Sequence, residues 1–385
     1  MTGQPARPRV YLDHNATAPL RPEARAAALV ALESACNPSS VHAEGRRARA
    51  IVEQARARVA ALAGALPDGV IFTSGATEAA NLALSPDLTA DGRRGFERLL
   101  VSATEHAAVL RGHRFPAEAV TVLPVLADGT LDLAALGEAL AAGGRAVVAV
   151  QAANNETGVL QPVAAVARMV QAHGGVVVCD AVQAAGRLPC GELGADILLL
   201  SGHKLGGLAG AGALVVAGGR VALGSPVLRG GGQERGHRSG TENVAAIAAF
   251  GAASAAADAA PSSAALRDRF EASLRAMAPD AVVYGSDAAR LPNTSAFAVP
   301  GVAAERLLIA LDLDGIAASS GAACASGVVG RSHVLDAMKV RPDLARGMVR
   351  VSFGWDSVET DVDLVIHALG RALHRMRAGR LRAAA

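Results

Sequence analysis

The chain contains the stretch Ile197-Leu198-Leu199-Leu200-Ser201-Gly202-His203-Lys204, in which four aliphatic residues lead directly to a lysine. Such a run predicts a buried strand over Ile197–Leu200. An earlier apolar run, Val176 to Val178, ends in Cys179-Asp180, so an acid follows a second predicted strand. Because ligands of open α/β sheets collect at strand ends, we expect Lys204 and Asp180 to contribute to one site.

A lysine and an acid delivered from two strand ends suit a particular cofactor chemistry. A lysine amine in a buried site near cationic groups has a lowered pKa and can form a Schiff base with an aldehyde. A carboxylate can pair with a pyridinium nitrogen and keep the ring an electron sink. The pair therefore predicts binding of pyridoxal 5'-phosphate, although each residue alone also fits a solvated lysine or a helix cap.

The surrounding sequence predicts an α/β fold. Between Val70 and Val216 short β-rich runs alternate with helical stretches, which is typical of a mostly parallel sheet with helices on both faces. The predicted strands are Val70–Phe72, Leu99–Ser102, Val120–Pro124, Ala146–Ala152, Val176–Cys179, Ile197–Leu200 and Ala213–Val216. Ahead of them, Val41–Leu62 has helical spacing, and Gly64 is a candidate C-terminal cap.

The pattern changes after Pro261. It predicts helices over Ala265–Met277, from Glu305 and from Val362, with a strand at Thr294–Ala298. We therefore expect a large cofactor-binding domain over residues 16–260. Residues 1–15 and 261–385 are expected to form a smaller α+β domain, which agrees with a chain of 385 residues.

Composition excludes several classes of function. The formal net charge of +2 is spread without long runs, so no nucleic-acid or anionic-membrane surface is indicated. The apolar stretch Val244–Ala257 is too short to span a bilayer, which needs about 20 residues, and predicts a packed helix. The N-terminus shows no export signal, so we expect a cytoplasmic protein.

The four cysteines show no C-x-x-C spacing, so we expect no metal site. Cys36, Cys179 and Cys190 are interpreted as inert core thiols. Cys324 differs because it lies among small residues, Ser319 to Ala323 before it and Ala325 to Gly327 after it. Such a segment is typical of an exposed loop, on which a thiolate can react, although a lone cysteine is more often a small hydrophobe.

A phosphate site is predicted where Ser74-Gly75-Ala76-Thr77-Glu78 follows a strand and opens a helix. Backbone N–H groups at Ala76 and the Thr77 hydroxyl can converge there on an anion. Ser201 and His203, just ahead of the lysine, supply further donors. An ordinary strand-to-helix turn remains the alternative.

Nine motifs in order together resemble one family, the cysteine desulfurases of the NifS and IscS type. They run from Tyr11 to Cys324, with Arg350 beyond them, and so cover nearly the whole chain. The motifs are Tyr11-Leu12-Asp13-His14-Asn15-Ala16-Thr17, Asn37-Pro38-Ser39-Ser40, Phe72-Thr73-Ser74-Gly75-Ala76-Thr77-Glu78, Thr104-Glu105-His106, Asn154-Asn155-Glu156-Thr157-Gly158, Asp180-Ala181-Val182-Gln183, Ser201-Gly202-His203-Lys204, Arg235-Gly236-His237-Arg238-Ser239-Gly240-Thr241 and Ser319-Ser320-Gly321-Ala322-Ala323-Cys324.

The resemblance implies the aspartate aminotransferase-like, type I fold of pyridoxal-phosphate-dependent transferases, within aminotransferase class V. It implies a homodimer that converts L-cysteine to L-alanine and leaves the sulfur as a persulfide on the enzyme. It also implies that the sulfur then passes to a sulfur-acceptor protein, such as an iron–sulfur scaffold, or enters another thiolation route.

The resemblance also implies roles for individual residues. Lys204 would bind the cofactor covalently, Asp180 would pair with the ring nitrogen, and Gln183 would bond the ring hydroxyl. His106 would stack on the ring and move protons. The remaining roles are phosphate binding by Thr77, Ser201, His203 and the partner subunit's Thr241, substrate carboxylate binding by Asn155 and Arg350, and sulfur acceptance by Cys324.

These roles compete with structural alternatives. His106 also fits a core histidine, Asn155 a turn residue and Arg350 a surface cation. The segment Gly206-Gly207-Leu208-Ala209 departs from the family pattern, in which an aromatic and a cation are common at the cofactor entrance. A selenocysteine lyase, another class V aminotransferase or a non-catalytic scaffold on the same fold are the alternative functions.

Overall fold

The computed structural model describes residues 9–34, 36–258, 262–321 and 332–384. The helices are α1 Pro22–Glu33, α2 Ala43–Ala63, α3 Ala76–Ala83, α4 Ala107–Leu110, α5 Leu133–Ala141, α6 Val163–Ala172, α7 Val244–Asp258, α8 Ala264–Met277, α9 Ala304–Leu313, α10 His333–Ala337, α11 Pro342–Ala345 and α12 Glu359–Ala384. The strands are β1 Val10–Tyr11, β2 Val70–Thr73, β3 Thr89–Ala90, β4 Arg93–Arg94, β5 Arg98–Ser102, β6 Val120–Leu123, β7 Ala146–Gln151, β8 Val176–Asp180, β9 Ile197–Ser201, β10 Gly212–Val216, β11 Val221–Ala222, β12 Val282–Val283, β13 Thr294–Ala298, β14 Ile316–Ala317 and β15 Val349–Ser352.

A seven-stranded sheet forms the centre of the fold, in the order β2-β10-β9-β8-β7-β5-β6. Strands β9, β8, β7, β5 and β6 run parallel, and β10 is antiparallel to both of its neighbours. All seven predicted strands are present, so the predicted α/β class with a mostly parallel sheet is confirmed.

Both faces of this sheet are buried, and successive residues of each strand pack into different cores. On β9, Leu198 and Leu200 join one core with helices α1, α2 and α7, whereas Ile197 and Leu199 join the other core with α3. This explains why the strands read as continuous apolar runs instead of an alternating pattern. Helix α2 ends, as predicted, at Gly64, which has a φ of 66° and donates its N–H to the carbonyl of Ala61.

The C-terminal part has its own sheet, β12-β13-β15, and its own core with α8, α9 and α12. Val10 and Leu12 pack into this core, and β1 pairs in parallel with β14. The predicted strand Thr294–Ala298 matches β13. The domain boundaries at residues 15/16 and 260/261 stay a prediction.

Within the described ranges, no helix is long and apolar enough to cross a membrane. Cys179 and Cys190 are buried, in agreement with their interpretation as core residues. Cys36 is only partly buried, so the interpretation is wrong for this thiol: it follows α1 in a connecting segment near the surface.

Candidate active site

A cavity of about 430 Å³ opens where β8 and β9 end. This volume lies in the range of small-molecule sites. The cavity brings together ten of the predicted site residues: Ala76, Thr77, His106, Asn155, Asp180, Gln183, Ser201, His203, Lys204 and Arg350. Ala209 also lines it, so the segment that departs from the family pattern reaches this cavity.

Lys204 ends a 3-10 turn, Gly202–Lys204, that follows β9. Its Nζ donates hydrogen bonds to the carbonyl oxygens of Asn15 and Ala16, each at 2.7 Å. Two carbonyl acceptors hold the amine at a defined point on the cavity wall. The N-terminal segment after β1 therefore positions the Lys204 amine at the end of the turn that follows β9.

Asp180 is the last residue of β8, and its Oδ1 accepts the N–H of Val182 at 3.0 Å. Burial raises the pKa of this carboxyl group, whereas that hydrogen bond and the nearby charges of His106 and Lys204 lower it. Burial is the largest of these effects, so the pKa of Asp180 stays above its ordinary value, and a protonated ring nitrogen beside the carboxyl group would favour its ionised form.

His106 precedes α4, and its ring Nδ1 accepts the N–H of Ala108 at 3.1 Å. Because Nδ1 acts as an acceptor, the neutral ring carries its proton on Nε2. The ring lies on the cavity wall. The interpretation of His106 as a core histidine is therefore wrong.

The turn between β2 and α3 forms another wall of the cavity. Helix α3 begins at Ala76, and a Cβ placed on Gly75 would meet no heavy atom within 4 Å, so the space in front of the helix is open. His203 Nδ1 lies 3.0 Å from the Thr17 hydroxyl. Burial, together with the charge of Lys204, lowers the pKa of His203 to about 4, so this ring is a neutral hydrogen-bonding group at physiological pH.

Asn155 and Arg350 are joined at another wall. Arg350 Nη1 donates to the carbonyl oxygen of Asn155 at 2.8 Å, and Nη2 lies 2.6 Å from Asp13 Oδ1. The Arg350 side chain is only 3% exposed, so its interpretation as a surface cation is wrong. Its Nε–H is buried with no hydrogen-bond partner among the described residues. An anion in the cavity could satisfy this donor.

Two predicted residues lie elsewhere. Thr241 is exposed and does not line this cavity. Cys324 lies outside the described residues.

Sequence reasoning missed several contributors. Asn15 supplies a carbonyl to Lys204 and to the Gln183 amide, the latter at 3.0 Å, and its own side chain donates to Thr294 Oγ1 at 2.9 Å. Its position in the first motif was the only available indication of a role. Asp13, in the same motif, was not recognised as the partner of Arg350.

Glu105 was also missed, although it directly precedes His106. Its Oε1 accepts the N–H of Gln151 at 2.7 Å, and Gln151 lies opposite Asp180 in the sheet. Burial and the charge of Asp180 raise the pKa of Glu105 well above its usual range. Burial and the nearby Asp180 thus both favour the protonated form of the Glu105 carboxyl group.

The residues present fit pyridoxal 5'-phosphate. The cavity has an amine, an acid and an aromatic histidine, together with an open helix N-terminus for a phosphate and an unsatisfied guanidinium N–H for a substrate carboxylate. In the described part of the chain, no group of three or more His, Cys, Asp or Glu side chains could hold a metal ion.

Comparisons with known proteins agree with this geometry. Residues 10–365 match the family described as aminotransferase class-V. A cysteine desulfurase of Cereibacter sphaeroides is 42% identical over 380 residues, which cover 96% of this chain and 97% of that protein.

Solved structures show the same fold. A NifS-like protein from Rickettsia africae superposes with a TM-score of 0.84 at 32% identity, over 95% of this chain and 100% of that one. A structure of SspA in complex with cysteine superposes with a TM-score of 0.76 at 27% identity, over 91% of this chain and 100% of that one. The chain therefore belongs to the class V aminotransferases, which are pyridoxal-phosphate enzymes, and within them to the cysteine desulfurases.

Proposed function

We propose that this enzyme converts L-cysteine to L-alanine and transfers the sulfur to Cys324. The observation that carries the proposal is the convergence of Lys204, Asp180, His106 and Arg350 on one cavity, in a chain of the cysteine desulfurase family. The reaction breaks the C–S bond of L-cysteine and forms an S–S bond on Cys324. The product alanine gains the hydrogen that the thiol of the enzyme loses, so no external oxidant is needed.

Individual residues of the cavity would have separate roles in holding the cofactor and moving protons. When bound, pyridoxal 5'-phosphate supplies an electron sink for the α-carbon of the substrate. Lys204 Nζ would hold the cofactor covalently, the Asp180 carboxylate would pair with its ring nitrogen, and Gln183 would bond its ring hydroxyl. His106 would stack on the ring and move a proton at Nε2, because its Nδ1 accepts the N–H of Ala108.

Binding of the two charged ends follows from the cavity walls. The N–H groups at Ala76, the Thr77 and Ser201 hydroxyls and His203 would bind the phosphate. At the other wall, Asn155 and Arg350 would bind the substrate carboxylate, and the buried Nε–H of Arg350 supports this because a carboxylate would satisfy it.

We further propose a cytoplasmic homodimer in which the partner subunit's Thr241 completes the phosphate site. The exposed position of Thr241 supports a role in trans, and the exposed apolar side chains of Leu29, Val30 and Leu32 on α1 support a buried interface. The free thiols of Cys36 and Cys179 are typical of a reducing compartment. The sulfur would pass to an acceptor protein, such as an iron–sulfur scaffold.

The test is incubation of the purified holoenzyme with L-cysteine and a reductant, with alanine and sulfide measured together. Equal amounts of both are expected, and pyruvate without sulfide would refute the proposal. A C324A variant is expected to keep the cofactor absorbance and lose sulfide release, whereas K204A is expected to lose the absorbance of the covalently bound cofactor after dialysis. L-selenocysteine is tested in parallel, and activity with it but not with L-cysteine would identify a selenocysteine lyase instead.

A further inference from the structure

Glu156 follows Asn155 directly and contacts both described segments that flank residues 322–331. Its Oε2 accepts the hydroxyl of Ser332 at 2.5 Å, at the start of α10. On the other side, a Cβ placed on Gly321 would lie 2.4 Å from the same Oε2, so the Gly321 backbone packs directly against this carboxyl group. One oxygen atom thus lies between the two flanks of the segment that carries Cys324.

Each flank also makes a second contact, either with a residue that lines the cavity or with one that directly precedes such a residue. Ser319 and Arg350 exchange backbone hydrogen bonds, at 3.1 Å from the Ser319 N–H and 2.6 Å from the Arg350 N–H. His333 Nε2 lies 2.9 Å from the carbonyl oxygen of Glu105. Glu156 is therefore the central contact of a set that connects both flanks to the residues before His106 and around Arg350.

The burial of Glu156 shows that this contact is not an incidental surface pairing. The residue is 4% exposed. Burial raises the pKa of Glu156 to about 7, while the Ser332 hydrogen bond and the charges of Arg350 and His106 lower it. A buried carboxyl group of this kind costs stability, and the hydrogen bond from Ser332 offsets part of that cost.

We propose that Glu156 is a positioning residue for sulfur transfer, because it holds Gly321 and Ser332, the described residues on either side of the segment that carries Cys324. The inference rests on the proposed function, in which Cys324 accepts the sulfur. Glu156 itself does not line the cavity. It acts through the two flanks, and a shift of about 1 Å in such a support can cost as much as 100-fold in rate.

The experiment measures single-turnover persulfide formation on Cys324 by mass spectrometry, using the holoenzyme and variants E156A, E156Q and S332A. The same samples give the cofactor absorbance and, in steady state, kcat and KM for L-cysteine. S85A is the matched control, because the buried Ser85 hydroxyl likewise donates to a carboxylate, that of Asp87, outside the cavity.

We expect E156A and S332A to slow persulfide formation roughly 10-fold to 100-fold, with the KM and the cofactor absorbance within about twofold of wild type. E156Q retains an oxygen that can accept the Ser332 hydroxyl, so it is expected to recover most of the rate, and S85A is expected to behave as wild type. A merely structural role would not separate the sulfur-transfer rate from the KM and the cofactor signal.

Wild-type persulfide rates in E156A and S332A would overturn the inference, as would a rise in KM alone, which would assign Glu156 to substrate binding. Failure of the proposed function has a different signature. If C324A still released sulfide at the wild-type rate, the role of Cys324 would be wrong, and the inference about Glu156 would fall with it.

Discussion

Arg350 and Asp13 form an ion pair with 2.6 Å between Nη2 and Oδ1, although 337 positions separate them in the chain. The arginine is buried on β15, and the aspartate follows β1 and is partly exposed. Since Asn155 accepts a hydrogen bond from the same guanidinium, the arginine is held from two sides. The pair fixes the orientation in which Arg350 faces the cavity.

D13N tests this role. The variant leaves the buried guanidinium without its carboxylate partner, so we expect the free energy of unfolding to fall by about 2 kcal/mol. The KM for L-cysteine should rise because the arginine loses one of its two restraints. Urea denaturation and steady-state kinetics measure the two effects.

D312N is the control for D13N. Asp312 also pairs with an arginine, Arg9 at 2.8 Å, but both side chains are more than 60% exposed, at 61% and 63%. Exposed pairs contribute little, so this variant should lie within about 1 kcal/mol of wild type and keep its KM. An equal loss in both variants would mean that burial of Arg350 does not matter.

Local patterns were sufficient to predict much of the fold and the centre of the site. The strands ending at Asp180 and before Lys204 are continuous apolar runs, because both faces of the sheet are covered by helices. The ends of parallel strands meet at one edge of the sheet, so the sequence predicted that the lysine and the acid lie close together. The resemblance to the family then supplied His106, Asn155 and Arg350.

Contacts between distant segments could not be predicted in this way. Neither the carbonyl of Asn15 beside Lys204 nor the contact of Glu156 with Ser332 leaves a periodic pattern in the sequence. Both depend on how the N-terminal segment and the region after β14 pack against the central sheet, which is set by tertiary structure. The partial exposure of Cys36 has the same origin.

The contact between α2 and α7 leads to a second prediction. A Cβ on Gly251 of α7 would lie 2.5 Å from the Cα of Ala55 on α2, so the helices approach as closely as a glycine allows. G251A should force them apart and lower the free energy of unfolding by roughly 1–3 kcal/mol. G219A is the control, because a Cβ there meets nothing within 4 Å, and it should be neutral. Equal stability of the two variants would contradict the observed packing.

A buried ion pair anchors the segment that precedes Thr241. Glu234 accepts two hydrogen bonds from Arg56, both at 2.7 Å, and a third from the N–H of Phe72 at 2.8 Å. E234A leaves Arg56 buried without this carboxylate, so we expect a loss of about 3–5 kcal/mol in urea denaturation. Weaker retention of the cofactor on dialysis should follow, because Glu234 also holds β2, the strand before the turn that is proposed to bind the phosphate.

E53A is the control for E234A, because Glu53 is a second partner of Arg56, at 3.1 Å, but is 56% exposed. Its removal should cost less than about 1 kcal/mol. A similar loss in the free energy of unfolding for both variants would contradict the larger contribution expected of the buried pair.

The raised pKa of Glu156 predicts a pH dependence of stability. Its pKa in the folded protein is about 7, above the ordinary value of 4.5, so folding favours the protonated carboxyl group. This contribution is fully present below the ordinary pKa and is lost as the pH rises through about 7. E156Q is neutral at every pH and lacks that loss. The melting temperature of E156Q relative to wild type should therefore increase between about pH 5 and about pH 8, as measured by differential scanning fluorimetry.

The exposed Glu118 supplies the control E118Q, for which the difference in melting temperature should not change with pH. A flat difference for E156Q as well would mean that the carboxyl group stays ionised in the folded protein, and that its contact with Ser332 is that of a carboxylate throughout this range.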